Sequence, residues 1–172
     1  MPKFRPRSHA LHLVLLTALL AGIATTTLAA TTIRAQTLDG EPVRLDDYFA
    51  RGRWTLVVVW TTYCPVCAGE FDTLARLQAA HAASELEVLG VAIDGVAARG
   101  TVAGTLAERH ARFESLVGEP TEIAAGFERL TGTPFLGTPT YLLFDGDGEL
   151  AARKNGPLDR AELERFLTRH HP

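Results

Sequence analysis

The run Thr55-Leu56-Val57-Val58-Val59-Trp60, followed at once by Cys64-Pro65-Val66-Cys67, constrains this chain more than any other feature. Uncharged residues dominated by β-branched and aromatic side chains read as a strand buried on both faces, which belongs in the middle of a sheet. After the second cysteine, Phe71, Leu74, Ala75 and Leu77 recur at helical spacing, and the helix is expected to run to about Ala83. Glu87 to Ile93 reads as a second buried strand. Strand, helix and strand then form a βαβ unit with a right-handed crossover.

Beyond this unit, Gly95 to Gly100 is read as a loop, Thr101 to Arg109 as a helix, and Phe113 to Val117 as a short strand. Pro120 suits the first turn of a helix ending near Leu130, with Gly132 where a C-terminal cap is expected. Thr140 to Phe144 and Glu149 to Arg153 flank Asp145-Gly146-Asp147-Gly148, a turn joining two antiparallel strands. Asp159 with Glu162 three residues on resembles a capping box, and Leu163, Phe166 and Leu167 give the final helix one apolar face. With an additional N-terminal piece from Ile33 to Phe49, the expected class is α/β: a central mixed β-sheet flanked by helices.

A length of 172 residues allows one globular domain with an appendage. The appendage is residues 1–30: Lys3, Arg5 and Arg7, an apolar stretch from Leu13 to Ala24, then small and polar residues to Ala30. This is the layout of a secretory signal peptide cut near Ala29 or Ala30, with an uncleaved membrane anchor as the alternative. Under either reading the positive start stays in the cytoplasm and residues 31–172 are exported. Residues 1–30 hold three basic and no acidic residues, so the remainder carries 14 basic against 20 acidic residues, a charge of -6. That balance argues against nucleic acid and anionic lipid as partners, and leaves membrane contact to the N-terminal segment alone.

Cys64 and Cys67 are the only cysteines, which excludes a disulfide-rich scaffold and a four-cysteine zinc site. At a helix start, unpaired backbone N–H groups and the helix dipole favour a thiolate, making Cys64 the better nucleophile. Cys67, one turn inward, is placed to attack a mixed disulfide and release the partner. A structural disulfide closing so short a loop would stabilise weakly. A Cu(I) or Zn site has two soft ligands here, but no neighbouring His completes the set, and His81, His110, His170 and His171 read as surface residues. Glu70 lies three residues after Cys67, on nearly the same helix face. It reads either as an ordinary acid in the first turns of a helix or as a carboxylate relaying the Cys67 proton. Thr138-Pro139-Thr140 precedes the strand expected beside the central one. Thr131 to Leu136 reads as a longer connection or as a lip beside Cys64.

Three segments together resemble the thioredoxin superfamily, and within it the TlpA/ResA-like thiol-disulfide oxidoreductases of the bacterial cell envelope. They are Leu38-Asp39-Gly40-Glu41-Pro42-Val43-Arg44-Leu45, the stretch Val57 to Phe71 around the two cysteines, and Gly137-Thr138-Pro139-Thr140-Tyr141-Leu142-Leu143-Phe144-Asp145. The resemblance implies a thioredoxin-like fold with a TlpA/ResA-type N-terminal extension. It also implies Cys64 as attacking thiol, Cys67 as resolving thiol, Glu70 as the proton relay, and Pro139 as a cis-proline facing the disulfide. Thr138 would offer backbone groups to a bound peptide, and Trp60, Tyr63 and Pro65 would flank the same surface. Tyr63 stands where the family usually has Trp, and Pro65 is first in the dipeptide between the cysteines.

The implied activity is disulfide reduction or exchange in a periplasmic compartment, without cofactor or resident metal. The substrates would be thiols or disulfides of other exported proteins, with cytochrome c biogenesis among the family's roles. A membrane electron donor of the DsbD/CcdA kind would feed a reductase. A DsbA-like disulfide-forming oxidant and a Cu(I)-handling metallochaperone using the same thiols are the alternatives.

Overall fold

The computed structural model describes residues 33–81 and 86–170. The leader or anchor expected over residues 1–30 lies outside the described residues. The elements in chain order are β1 (Arg34–Thr37), β2 (Pro42–Arg44), a 3-10 turn (Leu45–Tyr48), β3 (Trp54–Trp60), α1 (Pro65–His81) and β4 (Leu86–Ala92). A second 3-10 turn (Val96–Ala98) leads into α2 (Arg99–Glu108), followed by β5 (Glu114–Val117), α3 (Pro120–Thr131), β6 (Thr140–Phe144), β7 (Leu150–Asn155) and α4 (Arg160–Arg169).

All seven residues of β3 are buried, as expected for an interior strand. Among the described residues the strands form one sheet in the order β2-β1-β5-β4-β3-β6-β7. β3 is parallel to β4 and antiparallel to β6, and β4 is parallel to β5, so the sheet is mixed. The N-terminal piece joins the same sheet: β1 pairs with β2 and with β5, both antiparallel.

Strand alternation sorts the side chains of β3 onto two cores. Leu56, Val58 and Trp60 share one with Cys67, Phe71, Leu74 and Leu77 of α1, Val102 and Leu106 of α2, and Leu163 of α4. Val57 and Val59 share the other with Ile123 and Phe127 of α3 and with Leu45 and Tyr48. Each fully buried side chain of this size contributes roughly 1.5–3 kcal/mol. Two edge-to-face pairs, Trp60 with Phe71 at 4.9 Å and Phe71 with Phe113 at 5.6 Å, lock α1 against the sheet.

Local chemistry explains the helix ends. Pro120 opens α3, and Gly132 closes it in the left-handed region at φ 68°, donating its N–H to the Glu128 carbonyl. Asp159 caps α4 by accepting the Glu162 N–H at 2.9 Å. α3 approaches the N-terminal piece so closely that a Cβ on Gly126 would lie 2.3 Å from Cγ1 of Ile33. Boundaries differ from the sequence reading by one or two residues. β4 begins at Leu86 and ends at Ala92, α2 begins at Arg99 behind its 3-10 turn, and β7 runs to Asn155, where the ladder to β6 ends.

Candidate active site

The active-site loop grows out of the carboxyl end of β3, where parallel strands of α/β folds place their functional groups. Cys64 N–H donates to the Thr61 carbonyl at 3.1 Å, closing a turn. Pro65 is the first residue of α1, a position whose N–H has no helical partner anyway. Cys64 therefore stands at the N-cap. Its sulfur accepts the Cys67 N–H at 3.1 Å, doing what a serine or aspartate oxygen does at other helix starts. Cys64 and Cys67 are joined as a disulfide with Cα atoms 5.3 Å apart.

The two sulfurs differ in access. Cys64 retains 9% exposure and Cys67 only 1%, which leaves Cys64 as the sulfur an incoming thiol or disulfide can reach. Tyr63 and Val66 on either side are 86% and 48% exposed, and Pro65 is exposed as well.

Asp94, two residues past β4, anchors the turn from the neighbouring loop. Its carboxylate accepts the Thr61 hydroxyl at 3.0 Å, the Thr62 backbone N–H at 3.0 Å and the Thr62 hydroxyl. Sequence reasoning missed Asp94. The available signal was an acid placed at the carboxyl end of a buried strand, where side chains meet the cysteine loop.

Glu70 points back into the fold. Its Oε2 accepts the Tyr141 hydroxyl at 2.6 Å, and its Oε1 accepts the Leu158 backbone N–H from the loop ahead of α4. Burial foremost, then the hydrogen bond and charge of Glu70, pushes the Tyr141 phenol up from its ordinary value. Tyr141 was also missed. A phenol on the apolar strand beside the central one requires a partner, and α1 offers an acid.

The Thr138-Pro139 peptide bond is cis. β6 begins at Thr140, paired with Val59, so Pro139 comes alongside the end of β3 where the cysteine loop begins. Pro139 is buried and Thr138 half-buried. In the preceding loop Phe135 packs edge-on against Phe127 of α3, whereas Leu136 is 76% exposed. Trp60 departs from the sequence reading. It is fully buried, with Nε1 donating to the Ser115 hydroxyl at 3.2 Å, so its side chain supports the loop from beneath and does not reach a docked partner.

Among the described residues no helix is long and apolar enough to cross a membrane. Residues 27–153 match the family model described as the AhpC/TSA family. The chain is 31% identical over 132 residues to the thiol:disulfide interchange protein DsbE homolog of Paracoccus denitrificans, covering 76% of this chain and 67% of that protein. DsbF of Mycobacterium tuberculosis superposes with a TM-score of 0.62 at 25% identity, covering 79% of this chain and 92% of that one. A secreted disulfide oxidoreductase of the same organism superposes at 0.61 with 20% identity, covering 81% and 97% of the two chains. The latter likeness shows the fold, which is thioredoxin-like. Sequence match, fold and a surface-reachable cysteine paired with a buried one converge: the chain belongs to the AhpC/TSA family and is a thiol:disulfide oxidoreductase of the DsbE/ResA type.

Proposed function

We propose that this protein is an exported disulfide reductase or exchange protein acting on the thiols and disulfides of other envelope proteins. The observation that carries this reading is the asymmetry of the two sulfurs, with Cys64 capping α1 and keeping 9% exposure and Cys67 sealed beneath it at 1%. Reduced Cys64, once deprotonated, attacks one sulfur of a partner disulfide and expels the other as a thiolate. Cys67 then attacks Cys64, freeing the second partner sulfur and restoring the Cys64–Cys67 bond. The partner gains two electrons and the protein loses them.

Glu70 takes the Cys67 proton in the second half, since a thiol sealed from water needs an internal base. Pro139 and Thr138 present backbone to a partner peptide, and exposed Tyr63, Pro65, Val66 and Leu136 border the same surface. The dipeptide between the cysteines supports reduction over oxidation: Pro65 supplies no N–H and Val66 no charge, so thiolate stabilisation is modest. The leader-like residues 1–30 support a periplasmic location, and a membrane donor of the DsbD/CcdA kind would return electrons to the disulfide.

The test is the equilibrium reduction potential of the Cys64–Cys67 pair in the chain lacking residues 1–30. A value near or below about -230 mV supports a reductase, and one near about -120 mV makes the protein a disulfide-forming oxidant.

A further inference from the structure

Tyr141 occupies the second position of β6, paired with Val58 on one side and Lys154 on the other. It is 2% exposed and lies in the same core as Cys67. A phenol buried so deeply needs a hydrogen-bond partner, and it finds one in Glu70 Oε2 at 2.6 Å. The other carboxylate oxygen takes the Leu158 N–H. Two donors on separate elements, a strand and the loop ahead of α4, thus fix a carboxylate that starts one turn beyond Cys67.

The same two donors line a cleft of about 250 Å³ between the sheet and α4. Leu56, Leu143 and Phe166 give it an apolar floor, and its charged lining has both signs: Arg153, Lys154, Asp159 and Glu162, with Lys154 paired to Glu162 at 3.0 Å. Both hydrogen-bond donors to the Glu70 carboxylate thus lie in the wall of this cleft.

We propose that Tyr141 is a positioning residue for the resolving half of the exchange, its hydroxyl holding the Glu70 carboxylate where that group takes the Cys67 proton. The proposal rests on the relay reading of Glu70. In this step the proton passes from the Cys67 thiol to Glu70, and the Cys67 thiolate donates an electron pair to Cys64 Sγ. The bond between Cys64 and the partner breaks, its electrons leaving on the partner sulfur as a thiolate. Glu70 then returns its proton to water. Tyr141 keeps its own proton throughout, because burial favours the neutral phenol, and acts only as a donor.

The experiment is a double-mutant cycle on the full chain. Resolution of the mixed disulfide with a single-disulfide peptide is followed by stopped flow between about pH 5.5 and 9 for the parent, Tyr141→Phe, Glu70→Gln and the double variant. Tyr141→Phe, which removes one hydroxyl and keeps the ring, is expected to slow resolution about tenfold and alter its pH profile, as misplacement of a catalytic group does. In the Glu70→Gln background the same change has no further effect. A slow Glu70→Gln with a parent-like Tyr141→Phe overturns the positioning role while the relay stands. An unchanged Glu70→Gln overturns both. Equal slowing by Tyr141→Phe in both backgrounds assigns the effect to packing and also overturns the proposal.

Discussion

Thr62 donates both its backbone N–H and its hydroxyl to the carboxylate of Asp94, so the turn leading to Cys64 is fastened to the loop that follows β4. Asp94→Ala removes the acceptor for three donors at once and is expected to destabilise the protein by about 1–3 kcal/mol. Asp94→Asn keeps one acceptor oxygen and should recover part of that loss. Urea unfolding checks the stability, and the reaction rate of Cys64 with a small disulfide checks the turn. A parent-like rate in Asp94→Ala would mean that the turn holds its shape through the Cys64 N–H to Thr61 bond alone.

Replacing either cysteine separates the two halves of the exchange. Under the proposed exchange, Cys67→Ser leaves Cys64 to attack and removes the group that frees the partner, so a stable mixed disulfide is expected to accumulate. Cys64→Ser leaves only a sulfur with 1% exposure and abolishes exchange with protein disulfides. Intact-mass analysis of the reaction mixture under non-reducing conditions distinguishes the two.

Gly90 in β4 lies opposite Ser115 of β5, and a Cβ there would come within 2.6 Å of the Ser115 hydroxyl oxygen. That hydroxyl accepts the Trp60 indole N–H. Gly90→Ala therefore displaces Ser115 and frees a buried indole donor, at an expected cost of about 1–3 kcal/mol. Thermal unfolding followed by Trp fluorescence reads both the loss and its source.

Stability should also fall at alkaline pH. Burial foremost raises the Tyr48 phenol from 10 to about 12 and raises Tyr141 as well, so above pH 10 the folded chain holds protons that the unfolded chain has released. The unfolded state then binds fewer protons, and stability declines as pH rises past 10. For Tyr48 the decline runs to about pH 12. Urea midpoints measured between pH 9 and 12 should drop, and Tyr48→Phe should make the decline shallower.

Residues with a strong local signature were legible in the sequence. The apolar run of β3, Pro120 and Gly132 at the ends of α3, Asp159 at the cap of α4 and the turn between β6 and β7 each carry their own structural instruction, and all fall within a residue or two of where they were read. The cysteine pair was equally plain. The supporting partners were not, because Asp94 and Tyr141 act across 32 and 71 residues of sequence, and such contacts follow from which strands lie side by side. Trp60 was misread for the opposite reason. The resemblance placed it on the partner-facing surface, whereas β3 is buried on both faces and the indole lies against Phe71 and Ser115.

If Glu70 relays the Cys67 proton as proposed, the hydrogen bond from Leu158 ties the tail of the chain to that step. The match to the AhpC/TSA family ends at residue 153, before this contact is made. A protein shortened to the matched segment would keep both cysteines and the cis-proline, but would lose the end of β7, all of α4 and one of the two tethers on Glu70. Trimming the chain ahead of Leu158 is thus expected to alter the setting of Glu70 as well as the stability of the fold.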